Sequence, residues 1–585
     1  MPEPTDLDNI RKLYADERDR RVRAEGTGQY HYVEESVDPW ATPIVRDSVR
    51  DEVDVVVMGA GLSGLVLGAM LRTEGVDRIR MIDNAGDVGG TWYWNRYPAA
   101  QCDVQSYIYL PLLEEMGYMP TERYAYQPEI LEYCRSIAQK YDLYRDAYFQ
   151  TEVVDAVWNE SNARWTVTTN RGDVIEAQFV VMAGGALQRP KLPDIPGLEN
   201  FGGALFHSSR WDYAYTGGAP GPTGGGLPGL ADKRVGVIGT GATGLQLVTP
   251  LARAAQHLSV FQRTPIVVLP RDNRPTDPNW AATLEPGWQD RHMFSFNEQT
   301  VDGSAEDLVD DAWSHTVFPV MASHNRAMFG AGESLEQAEV DDLAAMNVAR
   351  ARIASIVKDP ETAAALMPNF RMLCKRTSFH DDYLESFNRP NVTLVDTKGV
   401  GVQKATPTGV VADGREYELD CLILATGFDI GRGLLKAWGV DPVGVNGTRM
   451  TEYWGKGVRT LHGMQVHGFP NLFLHGPGQV APALNWTSSV IEMGRHIAYV
   501  IATARARNVQ RVDATTAAED YWLDVLGQTP SALVEYRREC TPGYFNNEGN
   551  VRAGTAPNFG HGANAYYGIL QKWRADDLLT GLELM

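Results

Sequence analysis

Two stretches of the chain share one order of hydrophobic and polar positions: an apolar strand, a glycine turn, an apolar helix and a second strand. The first begins at residue 53 and reads VDVVVMGAGLSGLVLGAMLRTEGVDRIRMID. The second begins at residue 234 and reads RVGVIGTGATGLQLVTPLARAAQHLSVFQRTP. Strands without polar alternation are typical of parallel sheets that are covered on both faces. The pattern therefore predicts an α/β fold with two Rossmann-like dinucleotide-binding domains.

Weaker periodicities predict the other elements. Residues 1–52 form a charged extension in which TDLDNIRKLYADERDRRVRAEG predicts an exposed helix, either a solvated packing arm or a helix that docks a partner. Strands are predicted at 179–185 (FVVMAGG) and 421–429 (CLILATGFD), and a glycine- and proline-rich loop near 215–229. Residues 266–370 lose the strand–helix alternation and predict a helical insertion.

Composition narrows the class of function. The 585 residues carry a formal net charge of −21 with a pI of about 5.1, which argues against nucleic acid or an anionic membrane as a partner. Five scattered cysteines without a CxxC pair exclude the common zinc and dithiol sites and fit a reduced cytosolic protein. The N-terminus has no apolar signal core, and glycines break the apolar run at 55–71. We expect a cytoplasmic protein without a metal; the oligomeric state stays open.

The glycines of both units are spaced to bind nucleotide phosphates. The first glycine permits a tight turn, the second lets a pyrophosphate approach the backbone, and the third lets helix and strand pack closely. The N-terminus of the helix that follows offers free N–H groups to the phosphates. The residues concerned are Gly59, Gly61 and Gly64 in the first unit and Gly239, Thr240, Gly241, Ala242, Thr243 and Gly244 in the second.

The two units differ at one equivalent position, the end of the second strand. Asp83 stands nineteen residues after Gly64, and Arg263 stands nineteen residues after Gly244. An acid there accepts hydrogen bonds from a ribose diol, whereas an arginine pairs with a 2′-phosphate. We therefore predict FAD on the first unit and NADPH on the second. The predicted domains are an FAD-binding domain of residues 53–185 and 421–585 and an NADPH-binding domain of residues 186–265 and 371–420.

Residues that follow the first unit fit a flavin site. The run GGTWYWNRYP at 89–98 sets three aromatic residues beside glycines and an arginine, and plain core packing is the alternative. The run HGPGQV at 475–480 precedes a helix-like segment whose N-terminus we expect near the pyrimidine end of the flavin. The candidate flavin-binding residues are Thr91, Trp92, Tyr93, Trp94, Asp103 and Tyr109, and Gln101, Cys102 and Asp103 are also candidates for the NADPH site.

The stretch FGGALFHSSRWD at 201–212 brings histidine, serine, arginine and aspartate close together in sequence. A hydrolytic triad and a buried structural histidine are the alternatives, because triads are recognised by geometry and not by adjacency. Lying just before the second unit, the stretch also spells F-x-G-x-x-x-H-x-x-x-W-D. In this respect the chain, from about residue 53 onward, resembles the type I Baeyer–Villiger monooxygenases. The residues of this fingerprint are Phe201, Gly203, His207, Trp211 and Asp212.

The resemblance implies the chemistry. NADPH reduces FAD, the reduced flavin takes up O2, and a C4a-peroxyflavin attacks a ketone to give an ester or lactone. RMLCKRTSFHDDYLESFNRPNV resembles a second signature of the family. By that match Arg376 stabilises the peroxide, Lys375 joins Arg263 and Thr264 around the 2′-phosphate, and Asp103 orients Arg376. The alternative for Lys375 and Arg376 is a solvated basic pair.

Two segments depart from the family pattern. Residues 183–185 read Ala-Gly-Gly where Ala-Thr-Gly is common, and CTPGYFNNEG at 540–549 replaces the Cys-x-x-Trp segment of enzymes that act on small rings. In this segment and in its charged extension, the chain resembles the subgroup of the family that acts on bulky ketones. That resemblance implies a bulky cyclic, sesquiterpenoid ketone as substrate. Two alternatives remain: an N- or S-oxygenating flavin-containing monooxygenase, and a non-catalytic nucleotide-binding flavoprotein.

Overall fold

The first domain is built on the strand that precedes the first glycine turn. A computed structural model describes residues 4–32, 38–185, 187, 189–330, 332–430, 435, 438–530, 532–551 and 557–585. Within the strand, Val55 and Val57 face a core shared with the following helix, and Val56 and Met58 face a second core on the other side. Both faces are covered, which explains the unbroken apolar run.

Among the described residues, seven strands form the sheet of this domain. Its central strands are parallel, and an antiparallel meander closes one side. Leu472–Leu474 adds a further parallel partner beside Val174–Met182. The order across the rest of the sheet is Ala147–Tyr148, Ile79–Ile82, Arg50–Met58, Val174–Met182, Arg164–Thr169 and Val153–Asn159.

The second domain has a sheet of five parallel strands. Their order is Val392–Asp396, His257–Gln262, Arg234–Ile238, Cys421–Leu424 and Ala204–His207. The predicted return to the first domain at residue 421 is therefore wrong. Cys421–Leu424 pairs with strands of the second sheet on both sides, so the chain crosses back only after that strand.

Short sheets and helices complete the two domains. The remaining strands pair as Tyr30–Tyr32 with Lys191–Pro193, Val268–Leu269 with Ser378–Phe379, Val512–Ala514 with Leu582–Leu584, and Lys404–Thr406 with Gly409–Ala412 and Arg415–Glu418. Helices outside the insertion are Pro4–Arg21, Leu62–Thr73, Thr91–Trp94, Ser106–Tyr109, Leu113–Met116, Gln127–Lys140, Tyr213–Thr216, Ala242–Ala254, Tyr383–Ser386, Met450–Tyr453, Trp486–Ala506, Thr516–Gln528, Ala532–Arg538 and Ala563–Ala575. The helix after HGPGQV thus begins at Trp486, later than the sequence run suggests. In the part of the chain that is described, no helix is both long and apolar enough to cross a membrane.

The insertion is helical, as predicted, and packs mainly on the first domain. Phe296 and Trp313 join the apolar core that contains Leu65 and Val57. Its helices are Pro278–Ala281, Trp288–Glu298, Phe318–Met328, Leu335–Ile356 and Pro360–Leu366, with one π-helical turn at Trp313–Val317.

The N-terminal helix Pro4–Arg21 lies against the insertion. Arg11 forms an ion pair with Glu339, and the Tyr14 hydroxyl accepts a hydrogen bond of 2.7 Å from Arg350. The strand Tyr30–Tyr32 then pairs with the linker between the two domains. These contacts fit the interpretation of the extension as a packing arm. Its residues Gln29 and Tyr30 also line the cleft between the two sheets.

Candidate active site

One cavity of about 1090 Å3 joins the two glycine turns. It lies between the sheets and is bordered by strand ends of both domains and by the segment that carries residues 374–376. Most of the predicted site residues line it: Gly59, Gly61, Asp83, Thr91, Trp92, Trp94, Gln101, Cys102, Asp103, Tyr109, Gly239, Thr240, Gly241, Ala242, Thr243, Arg263, Thr264, Lys375 and Arg376.

The third glycine of each turn lies behind the cavity and controls packing. A Cβ atom on Gly64 would stand 1.9 Å from the carbonyl oxygen of Gly59, and one on Gly244 would stand 2.0 Å from that of Gly239. A side chain cannot fit at such distances, so only glycine lets each helix begin there. At Gly241, by contrast, a Cβ would meet no atom within 4 Å, because the backbone there faces open space in the cavity.

Asp83 closes the first turn through its own backbone neighbours. Its Oδ2 accepts a 2.6 Å hydrogen bond from the N–H of Ala60, and its Oδ1 accepts one of 2.8 Å from Ala85. Burial raises the pKa of Asp83, and these two N–H donors oppose the shift. The acid predicted to meet a ribose therefore also holds the glycine turn in shape.

Arg263 is held by residues from distant parts of the chain. Its Nη1 donates to Gln29 Oε1 at 2.6 Å and to the Tyr30 hydroxyl at 3.0 Å, and its Nη2 donates to Glu548 Oε2 at 3.0 Å. Burial acts to lower the pKa of Arg263, but Tyr30 and Glu548 outweigh it and raise the value. The guanidinium stays charged and fixed in orientation.

Two lysines complete a basic cage, defined here as Arg263, Lys191 and Lys375. Lys191 Nζ lies 3.3 Å from Glu548 Oε1 and 4.0 Å from the centre of the Tyr30 ring. Lys375 Nζ donates a 2.7 Å hydrogen bond to the carbonyl of Pro542. Burial, and then the charge of Arg263, lower the pKa of Lys375 to about 7. The cage is suited to an anion with several oxygens.

Arg376 and Asp103 form a bidentate ion pair inside the cavity. Arg376 Nε donates to Asp103 Oδ2 at 2.7 Å, and Nη2 donates to Oδ1 at 2.8 Å. Burial opposes charge on both side chains, yet their mutual attraction raises the pKa of Arg376 and lowers that of Asp103. Both groups are therefore ionised at neutral pH, as the predicted orienting role of Asp103 requires.

Two residues beside this pair had no signal in the sequence. Trp313 Nε1 donates to the backbone carbonyl of Asp103 at 2.6 Å, and the Arg376 guanidinium lies 5.1 Å from the centre of the Trp313 ring. Arg271 is buried, hydrogen-bonds to Gln101, and has a buried Nε without a partner among the described residues. Burial lowers the pKa of Arg271, and the charge of Asp103 opposes that effect.

The predicted aromatic residues divide between the cavity and the core. Trp92 lines the cavity, and its Nε1 donates a 3.0 Å hydrogen bond to the Tyr109 hydroxyl. Tyr93 does not line the cavity; it packs in a small core, and its hydroxyl donates to Asp38 at 2.6 Å. For Tyr93 the structure fits the core-packing alternative.

The fingerprint residues lie away from the cavity and serve the structure between the domains. His207 Nδ1 lies 2.8 Å from Ser209 Oγ, and Nε2 donates to the Gly427 carbonyl at 3.1 Å. Burial, then the charge of Arg210, lower the pKa of His207 to about 4, so the ring is neutral. Asp212 instead accepts a hydrogen bond from Tyr215 N–H at 3.0 Å.

Three further observations agree with a structural role for the fingerprint. Trp211 is fully buried. Phe201 packs against the core of the second domain, and a Cβ on Gly203 would stand 2.6 Å from the Asp420 carbonyl oxygen. Since Ser209 is also fully buried, the hydrolase interpretation of this stretch is wrong.

The cysteines correct one prediction. Cys374 and Cys540 form a disulfide, whereas Cys102, Cys134 and Cys421 are free and buried. The expectation of a fully reduced protein is therefore wrong. Cysteines separated by 166 residues give no sequence signal of proximity, and this pair meets because the C-terminal segment folds back over residues 374–376.

Comparisons with known proteins agree with this geometry. Residues 52–281 match the family model of flavin-binding monooxygenase-like proteins. The chain is 47% identical to neopentalenolactone D synthase of Streptomyces avermitilis, with 99% of each chain covered. It is 45% identical to a Baeyer–Villiger monooxygenase of Stachybotrys chlorohalonatus, with 98% of this chain and 94% of that one covered.

Solved structures show the same relationship. The polycyclic ketone monooxygenase of Thermothelomyces thermophila is 37% identical and superposes with a TM-score of 0.92 over the whole of both chains. An oxidised steroid monooxygenase bound to NADP is 30% identical, with a TM-score of 0.74 over 91% of this chain and 99% of that one. The predicted fold and enzyme class are confirmed, and at the level of the family so are the flavin and NADP cofactors. With such identity along its whole length, the chain belongs to the Baeyer–Villiger monooxygenases.

Proposed function

We propose that the protein uses FAD and NADPH to insert one oxygen atom of O2 beside the carbonyl of a bulky cyclic ketone, giving a lactone or ester. The observation that carries this proposal is the half-buried Arg376–Asp103 pair in a cavity bordered by both nucleotide turns. Bound FAD would supply oxygen activation and bound NADPH the electrons. The side chains of the cavity would bind the cofactors and stabilise the charge that develops during the reaction.

The residues present fit both cofactors. The open backbone at Gly241 and the basic cage suit a pyrophosphate and a 2′-phosphate, so the second turn would hold NADPH. The first turn, Asp83 and the indole of Trp92 would hold FAD. A Cβ on Gly61 would stand 3.4 Å from the Cα of Gly90, so the backbones of these two glycines approach each other closely beside the cavity.

Arg376 supplies a permanent positive charge. Its Nε and Nη2 donate to Asp103, which leaves Nη1 outside the ion pair, where it would stabilise negative charge that develops on oxygen. A guanidinium does not donate its proton at neutral pH, whereas an ammonium can. The developing anion is thereby stabilised without being protonated.

Asp103 keeps that charge in position. A bidentate carboxylate restricts the rotation of the guanidinium, and Trp313 fixes the Asp103 backbone from the other side. Arg271 adds a second buried cation near Asp103. The two arginines together carry more positive charge than Asp103 carries negative charge, so the net charge of this part of the cavity is positive.

The substrate class rests on the relatives. Their names include neopentalenolactone D synthase and a polycyclic ketone monooxygenase. We propose the same substrate class for this chain: a bulky polycyclic ketone, with a sesquiterpenoid ketone as the favoured example. We also propose that it works without a nucleic-acid or membrane partner, which its net charge of −21 supports.

A ketone panel tests the proposal. Purified enzyme with FAD and NADPH is incubated separately with polycyclic ketones, a small ring ketone, an amine and a sulfide. The masses of the products are measured by mass spectrometry. We expect a gain of one oxygen on the polycyclic ketones. Oxygenation of only the amine or sulfide, or NADPH oxidation without product, would contradict the proposed substrate class.

A further inference from the structure

The basic cage already contains an anion of the protein itself. Glu548 is 5% exposed, and its two carboxylate oxygens face Arg263 and Lys191 at 3.0 and 3.3 Å. Lys375 contributes to the same field and, with the other two cations, keeps the pKa of Glu548 low despite burial. Glu548 is thus a buried carboxylate in the place where three cations converge.

We propose that Glu548 is a specificity-determining residue: its carboxylate occupies the position in the basic cage that the 2′-phosphate of NADPH takes, and competes with it. This inference rests on the proposed NADPH function. A carboxylate and a phosphate repel each other, so they cannot both lie against Arg263 without weakening the binding of the phosphate. A coenzyme without the 2′-phosphate leaves Glu548 in place.

The charges in the cage support competition. Arg263 and Lys191 are paired with Glu548, and Arg21 nearby is paired with Glu17. A phosphate monoester carries about −1.5 to −2 charges at neutral pH. With Glu548 in place, the negative charges exceed those of Arg263 and Lys191 together, so charge balance requires Lys375 to gain a proton; withdrawal of Glu548 removes that requirement.

The backbone conformation at Glu548 also supports competition between its carboxylate and the 2′-phosphate. Asn547, Glu548 and Gly549 follow one another with φ of 52°, 57° and 86°. Glycine and asparagine adopt this left-handed region easily, but a glutamate does so at a cost. The ion pairs in the cage hold Glu548 in that conformation, and release from the cage lets the backbone relax.

The segment that carries Glu548 has a fixed start. The Cys374–Cys540 disulfide anchors it beside Lys375, and the amide of Asn546 bonds to the carbonyl of Cys540 at 3.0 Å. Glu548 lies eight residues after Cys540, so the segment that follows the disulfide is the part of the chain that its displacement would involve. The competition is therefore confined to the phosphate and does not extend to the flavin.

Binding of two small probes to flavin-loaded enzyme tests the inference. Adenosine 2′,5′-bisphosphate and adenosine 5′-monophosphate differ only in the 2′-phosphate, and calorimetry gives Kd for each. We expect Glu548→Gln to bind the bisphosphate about tenfold more tightly than the natural enzyme, with the monophosphate changed less than about twofold. Glu539→Gln, nine residues earlier and exposed beside Arg371, is the matched control and leaves both Kd values unchanged.

The outcomes separate the two proposals. Equal or weaker binding of the bisphosphate by Glu548→Gln overturns the competition, and weaker binding assigns Glu548 to support of Arg263. If Glu548→Gln does not retain flavin, Glu548→Asp carries the test, because its shorter carboxylate reaches less far and raises bisphosphate affinity about threefold. Failure of both the natural enzyme and Glu548→Gln to prefer the bisphosphate contradicts the NADPH site itself.

Discussion

The two nucleotide-binding turns differ in where their end-of-strand residue finds its partners. Asp83 is held by the backbone N–H groups of Ala60 and Ala85, within its own turn. Arg263 is held by Tyr30 from the N-terminal extension and by Glu548 from the C-terminal segment. Asp83 is thus held within one local stretch, whereas Arg263 is held by residues from two distant parts of the chain. A permanently held cofactor suits the first arrangement and an exchanging coenzyme suits the second.

Alanine at the third glycine gives the largest expected effect and separates the two sites. Gly64→Ala forces a Cβ within 1.9 Å of a carbonyl oxygen, so we expect colourless protein with less than about a tenth of the natural flavin content. Gly244→Ala, with a contact of 2.0 Å in the second turn, should stay yellow and lose reduction by NADPH.

Flavin content is measured from the absorbance of the flavin bands, and reduction by NADPH is measured under anaerobic conditions. Gly68→Ala lies in the same helix as Gly64 but meets only a flexible leucine side chain at 3.0 Å, and it should retain flavin. If Gly64→Ala binds flavin normally, the two turns do not serve separate cofactors.

Removal of the charge between the two sites should cost roughly three decades in ester formation. A unit charge at about 4 Å is worth about 4 kcal/mol at an effective dielectric near 20, and each 1.36 kcal/mol is about tenfold in rate. We expect Arg376→Ala to form almost no ester while it still binds FAD and accepts electrons from NADPH. Product by chromatography and flavin bleaching are followed separately, and normal ester formation would remove Arg376 from the mechanism.

Truncation of Arg263 tests the difference between the two strand ends directly. Loss of charge-assisted hydrogen bonds costs about 1.5–3 kcal/mol, so Arg263→Ala should raise KM for NADPH about 10- to 100-fold and change KM for NADH little. Steady-state kinetics with both coenzymes measure it. Arg253→Ala, an exposed arginine of the same domain paired with Asp382, is the control. Equal losses for both coenzymes would contradict a phosphate partner for Arg263.

The smallest expected effect is a pH dependence confined to the second site. The pKa of Lys375 is lowered to about 7, and a bound phosphate would raise it, so NADP binding takes up a proton. Affinity for NADP+ is then full below pH 7 and falls above it by at most about tenfold per unit. Flavin difference spectra from pH 6 to 9 measure Kd. Lys375→Arg should flatten the profile; a slope unchanged in that variant would assign the dependence to another group.

The local character of the first site explains what the sequence reveals. The glycine turns, Asp83, Arg263 and the Lys375–Arg376 pair stand at fixed spacings in short motifs, and most of these residues line the cavity. Gly64 and Gly244 matched their expected packing role behind it. Where function depends on neighbours in sequence, pattern alone is informative.

Residues brought in from afar had no such signal. Glu548 belongs to a segment that was noticed only because it departs from the family pattern, and Arg271 and Trp313 belong to regions without a motif. The disulfide joins residues that no spacing rule connects. The apolar run of Cys421–Leu424 predicts that the strand is buried but does not indicate in which sheet, so its predicted place in the first domain is wrong.

The disulfide has one consequence for the handling of this protein. It closes a covalent ring that includes the exposed hairpin strand Arg415–Glu418. A protease that cuts once within this ring leaves both pieces attached, so the nicked enzyme migrates as one band on a non-reducing gel. Two fragments separate only after a thiol is added, and intact electrophoretic mass is therefore no proof of an uncut backbone.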